Sequence, residues 1–210
     1  MVIYMKRKPM LFSKMELSHK GLGREVIGLI GTHHGAGVTH TGLMIAFYMG
    51  EELGKKTAFL ECNNHHDMAL LQKAYEWNEE DGDVFSFHQI TCYKEVRRER
   101  ISQIFGEDYQ CIILDFGIDF IENKEEFLRC SKKIILGNKS EWHLLKLLSF
   151  AEAAKAIDGS DSWLYFIPQA TFNKIKRVQN IIGRKVFAVP SKEEPAIASR
   201  ETNRFFNRIF

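Results

Sequence analysis

Long apolar runs are missing from this chain: no stretch approaches the about 18 continuous apolar residues of a membrane-spanning helix. Paired cysteines are missing too. Cys62, Cys92, Cys111 and Cys130 lie far apart with no C-x-x-C spacing, which points to reduced, partly buried thiols and against a disulfide scaffold. Charge of one sign is scarce, because 29 Lys+Arg against 27 Asp+Glu leave only +2, too little to argue for nucleic acid or a membrane surface. There are no internal repeats and no low-complexity segments. The opening "MVIYMKRKPMLF" has no apolar core after its charges, so no secretory signal is expected and a cytoplasmic location is. The most telling absence is local: no lysine occurs between Gly31 and Thr41, inside a glycine-studded turn.

What is present suits one well-buried domain. The 210 residues are 45% hydrophobic and 27% charged, ordinary values for a globular protein of one core. Residues 1–24 stand apart as a basic arm, with Lys6, Arg7, Lys8, Lys14, Lys20 and Arg24 against Glu16. From residue 25 to residue 210, short apolar runs alternate with longer helical patterns. Strands are expected at "VIGLIG" (26–31), "KTAFLEC" (56–62), "QCIILDFG" (110–117), "KKIILGN" (132–138), "SWLYFIP" (162–168) and "KVFAVP" (185–190), with one more short strand within 84–93. Helices are expected over about 39–53, 68–77, 94–105, 122–130, 140–156, 172–182 and from about 196 onward. Continuous aliphatic runs indicate strands covered on both faces, and their alternation with helices means parallel crossovers. The expected fold is α/β, a three-layer doubly wound and mostly parallel sheet.

Ligands of such sheets bind beyond the carboxyl ends of the strands. There the sequence places "GTHHGAGVTH", "ECNNHHD" and "DFGID", all small or polar. Gly31, Gly35 and Gly37 let the backbone approach an anion and aim N–H groups and a helix N-terminus at it.

Residue by residue, "THHGAGVTH" (32–40) resembles the deviant phosphate loop of the MinD/ParA group, close to G-K-G-G-V-G-K-T-T. That group includes pilus-localisation ATPases of the TadZ/CpaE kind. Gly35 and Gly37 match two glycines, and Thr39 matches the hydroxyl residue that holds magnesium. Thr32 replaces the early glycine. The signature lysine, which reaches a partner's nucleotide, falls on His33, and the universal phosphate-binding lysine falls on Val38. "CIILDFG" resembles the Walker B strand, with Asp115 reaching magnesium through water, and Glu61-x-Asn63 occupies the place of a D-x-D motif.

The resemblance implies a P-loop NTPase-like domain that binds ATP with Mg2+ through His33, Gly35, Ala36, Gly37, Val38, Thr39 and His40. Thr39 and Asp115 would organise the metal, with Glu61 and Asp115 as catalytic candidates. Losing the lysine should cost about 2–4 kcal/mol of transition-state stabilisation, so hydrolysis should suffer more than binding. Asp115 also reads as a simple helix or turn cap. His33, His34, His40, His65 and His66 all fall on the expected rim, where they either face water, contact phosphate or bind a metal.

The mixed-sign stretch "KEVRRERISQ" reads as a solvated helix face and not as a nucleic-acid patch. The terminal "RETNRFFNRIF" reads as an amphipathic helix that packs on the core, with membrane contact as the lesser alternative. Trp142 and Trp163 are expected to serve packing. The expected function is nucleotide binding with weak or lost hydrolysis, in regulation or positioning of a cellular assembly, as a homodimer with an unidentified protein partner. The alternative is a non-enzymatic pseudo-ATPase scaffold, for example in pilus or secretion assembly.

Overall fold

The computed structural model describes residues 23–75, 82–190, 194–196 and 199–210. The basic arm over 1–22, the end of the expected 68–77 helix, part of the 79–83 turn and residues 197–198 lie outside the described residues. Arg24, assigned above to the arm, belongs to the folded body. Its guanidinium donates to the carbonyls of Tyr109 (2.9 Å), Phe105 and Glu107.

The strands are β1 (Glu25–Gly31), β2 (Thr57–Glu61), β3 (Val84–Phe87), β4 (Ile90–Tyr93), β5 (Cys111–Asp115), β6 (Lys132–Leu136), β7 (Leu164–Pro168) and β8 (Val186–Val189). The helices are α1 (Val38–Phe47), α2 (Asp67–Tyr75), α3 (Arg98–Ile104), α4 (Phe120–Arg129), α5 (Glu141–Ala154), α6 (Phe172–Ile182) and α7 (Arg200–Phe206). One eight-stranded sheet has the order β3-β4-β2-β5-β1-β6-β7-β8, and every adjacent pair is parallel except β3 with β4.

Two details differ from the expectation. The segment 84–93 forms two strands of an antiparallel hairpin, turning at His88 with φ +54°. The helix expected over 39–53 is α-helical only to Phe47 and then widens into a π-helical turn, Tyr48–Glu52, with Leu53 N–H donating to Tyr48 O at 3.1 Å.

Period-2 geometry sends alternate side chains of each strand to opposite layers. In β5, Ile112 and Leu114 enter a cluster with Phe127 of α4, Leu147 of α5 and Val178 of α6. Cys111 and Ile113 enter the opposite cluster with Ile45 of α1, Met68 of α2 and Phe206 of α7. Both layers are apolar, which is why the strands read as continuous hydrophobic runs. Each fully buried large side chain contributes about 1.5–3 kcal/mol. Trp163, completely enclosed among Phe120 and Phe127, is one such anchor. Trp142 is not. It stands 71% exposed on α5, which corrects the packing role expected for it.

All four cysteines are free and buried, and burial raises the thiol pKa of Cys111 and Cys130 to about 12. The last helix packs on the core: Phe206 is fully buried and meets Tyr48 and Phe210. On α3, Arg98 and Glu99 are exposed while Ile101 and Ile104 are buried, so its charges form the solvated face. Among the described residues, no helix is long and apolar enough to cross a membrane.

Sheet register then brings the carboxyl ends of three adjacent strands together. Glu61 of β2 pairs with Asp115 of β5, and Asp115 pairs with Leu29 of β1, two residues before the glycine loop.

Candidate functional site

The loop leaves the sheet pinned on both sides. Gly31 N–H donates to Gly117 O (2.8 Å) after β5, and Thr32 N–H donates to Leu136 O (3.0 Å) at the end of β6. Ala36 N–H closes a turn onto His33 O at 3.2 Å. Gly35 and Gly37 adopt φ +76° and +86°, the left-handed region that costs an L side chain about 1–2 kcal/mol. Gly37 also caps α1, and no side chain satisfies that helix N-terminus. The first-turn amides of α1 therefore have no intrahelical acceptor and carry partial positive charge toward the rim.

Beneath the loop, Ala36 and Val38 turn into the core, 3% and 7% exposed. A Cβ on Gly31 would come within 2.8 Å of Val38 Cγ2 and 3.1 Å of Ala36 Cβ, so the underside is closely packed. Val38 thus spends its side chain on packing and puts no charge at the rim.

Thr39 faces two carboxylates. Its hydroxyl lies 2.6 Å from Asp115 Oδ2 and 3.0 Å from Asp67 Oδ2. A hydroxyl has one proton to give, so one of these approaches lacks a proton unless a carboxyl is protonated or a cation intervenes. Asp115 is fully buried, and burial pushes its pKa up to about 6. The hydrogen bonds from Thr39 and from Gly117 N–H (2.9 Å) pull the other way, while the charges of Glu61 and Asp67 add to the rise.

Glu61 is also fully enclosed, with its pKa raised chiefly by burial. It accepts from the amides of Met68 (3.2 Å) and Glu95 (3.4 Å). Asn63 is a brace: its Nδ2 donates to Asp115 O (3.1 Å), and its Oδ1 accepts from His65 N–H (3.0 Å) in an Asx turn.

Asp67 was not singled out from the sequence. The available signal was an acidic residue opening α2, directly after the β2 rim cluster. Thr39, Asp67 and Asp115 offer hard oxygen donors, the type that suits magnesium. Among the described residues no group of three or more His, Cys, Asp or Glu side chains could hold a metal ion. A cation at Thr39 would therefore complete its shell with phosphate oxygens and water.

The rim histidines divide. The rings of His34 and His65 approach to 5.6 Å, so the β1 and β2 loops do meet there. His66, at φ +60°, pairs with Glu95 at 2.7 Å, and His40 is half-buried in the first turn of α1. His33 points inward: it is 5% exposed and stacked on His143 of α5. The loop backbone, Thr39, Asp115 and Glu61 thus gather at one end of the sheet, while the side chains of Ala36, Val38 and His33 turn away from it.

No family model matches this chain. No curated protein matches it either. Solved structures do. A ParA family ATPase from Chlorobium tepidum TLS is similar with TM-score 0.61 and 15% identity over 81% of this chain and 85% of the other. MinD complexed with Mg-ADP from Pyrococcus horikoshii OT3 is similar with TM-score 0.59 and 13% identity over 86% and 85%. The MinC:MinD cell division complex of Aquifex aeolicus gives TM-score 0.64 and 12% identity over 88% and 96%. At these identities the likeness concerns the backbone, and the chain has the P-loop NTPase-like α/β fold of the MinD and ParA ATPases.

Proposed function

We propose that the chain binds ATP with Mg2+ at the glycine loop and hydrolyses it weakly or not at all, acting in the regulation or positioning of a cellular assembly. The observation that carries this reading is the placement of Thr39. Its hydroxyl is 2.6 Å from Asp115 at the uncapped start of α1, where amides and a hard cation would converge on a bound phosphate. The 3.0 Å approach of Asp67 to the same hydroxyl adds negative charge that a divalent cation would neutralise. The Mg-ADP complex of the similar MinD supports the choice of ligand.

Hydrolysis is expected to be poor because Val38 supplies no ammonium to follow the transferring phosphoryl group. The inward His33 supplies no charge to a neighbouring subunit's nucleotide. A homodimer through the loop edge is part of the proposal. Ile121, Trp142, Leu145 and Phe172, near the N-terminal ends of α4, α5 and α6, are exposed large apolar residues on that edge.

The second reading, a pseudo-ATPase scaffold with a protein partner, is favoured by one observation. The side chains of Val38 and Ala36 are committed to the core, so the fold does not need a bound phosphate to complete the underside of the loop. Equilibrium titration with a fluorescent ATP analogue, with and without Mg2+ and alongside a phosphate-release assay, separates the two. Saturable, magnesium-dependent binding with little turnover is expected. No binding up to millimolar concentration would leave the scaffold.

A further inference from the structure

The unusual feature of the loop is how His33 is housed. The Thr32 hydroxyl gives its proton to Leu136 O (3.2 Å), so its oxygen accepts from His33 Nδ1–H at 3.1 Å. That assigns the proton to Nδ1 and leaves Nε2 as a bare lone pair, buried and without a hydrogen-bond partner. The ring lies on His143 with centroids 4.0 Å apart and planes 19° apart, and His143 Nδ1 is likewise buried and unpartnered. In-plane lone pairs on two nearly parallel rings do not converge on one ion, so the pair is not a chelate.

The environment disfavours the charged ring. The titratable groups that act on His33 are His143 and Lys146 from α5 and His34 from the loop, none of them able to carry negative charge. Burial, the largest influence, together with these neighbours holds the His33 pKa below the ordinary 6.5.

We infer that the His33–His143 stack is an acid-released latch that holds the glycine loop against α5. A proton arriving at His33 creates an imidazolium with no counter-charge in its pocket, and the charged ring leaves for water. His33 O is the acceptor that closes the turn onto Ala36 N–H, so release shifts Gly35 and Gly37 as well. Because the folded pKa is depressed, the latch is fully closed above the unfolded value near 6.5. Its stabilisation is lost as pH falls from there through the lower folded value. The control of nucleotide affinity by this movement rests on the proposed function, but the latch itself does not.

The test is a histidine and backbone-amide NMR titration of the full chain from pH 8 to pH 5 without nucleotide. The His33 ring should titrate below 6.5, with the Gly35 and Gly37 amides moving at the same midpoint. His143→Ala, which opens the pocket and removes one neighbouring base, should shift that midpoint upward toward 6.5. A His33 midpoint at or above 6.5 in the wild-type protein, or loop amides that stay still through it, overturns the latch. Since no nucleotide is present, that failure would leave the nucleotide reading untouched, and absent nucleotide binding would likewise leave the latch standing.

Discussion

Glu61 and Asp115 face each other across the β2–β5 register, two fully buried carboxyls at the ends of adjacent parallel strands. Burial raises both pKa values; the charges of Glu61 and Asp67 raise that of Asp115 further, and the charge of Asp67 raises that of Glu61. Such an arrangement costs stability in the free protein.

Asp115→Asn should therefore stabilise the free protein while weakening magnesium-dependent nucleotide binding. The Asp115 pKa is raised to about 6 from 3.8. The folded state thus holds the proton more tightly than the unfolded state, and wild-type stability from this group falls as pH rises through that interval. At pH 7.5 the gain from the substitution should be on the order of 2 kcal/mol, shrinking toward pH 5. Urea denaturation at the two pH values measures it; a substitution that destabilises equally at both would contradict the assignment.

Thr39→Ala should reduce magnesium-dependent affinity by about tenfold or more, as expected for losing a contact to a charged group. Affinity measured with EDTA should change little. Parallel titrations check this, and an equal loss in both conditions would move Thr39 from the metal to the backbone cradle.

Val38→Lys should tighten nucleotide binding by turning residue 38 out of the core and bringing a cation to the phosphates, at the expense of a buried apolar contact. Thermal melting should show a loss of about 1–3 kcal/mol, while the titration shows a lower Kd. A lower melting temperature with unchanged affinity would mean that the loop does not place residue 38 near phosphate.

The two tryptophans should differ sharply. Trp163→Ala should cost about 3–5 kcal/mol, and Trp142→Ala should stay within about 0.5 kcal/mol in the monomer. Sedimentation of the second variant also tests the proposed dimer edge, because weaker self-association is expected there.

Much of the fold was legible because parallel strands covered on both faces leave unbroken aliphatic runs, as in "CIILD" ending at Asp115. The β3–β4 hairpin was not. Its turn uses His88 at φ +54°, with no Asn-Gly or Gly to mark it. Trp142 could have been placed correctly: Leu144, Leu147, Ala151 and Ala154 form the buried stripe of α5, and Trp142 lies off it.

At the site, the strand ends put the loop and Asp115 on one rim and the family resemblance singled out Thr39 and Asp115, whose side chains meet at 2.6 Å. It could not reveal which way His33 turns, since that depends on Thr32, Leu136 and His143, more than a hundred residues apart in sequence from one end to the other. Asp67 escaped for a similar reason: its approach to Thr39 arises only where α2 starts beside the β2 edge.

The most direct test follows the backbone amides of Gly35, Gly37, Val38 and Thr39 by NMR during titration with Mg-ATP. A lysine-free phosphate cradle predicts saturable shifts centred on these four amides, reached only at higher nucleotide concentration when Mg2+ is removed. If they remain unmoved up to millimolar Mg-ATP, the loop holds no nucleotide and the account fails.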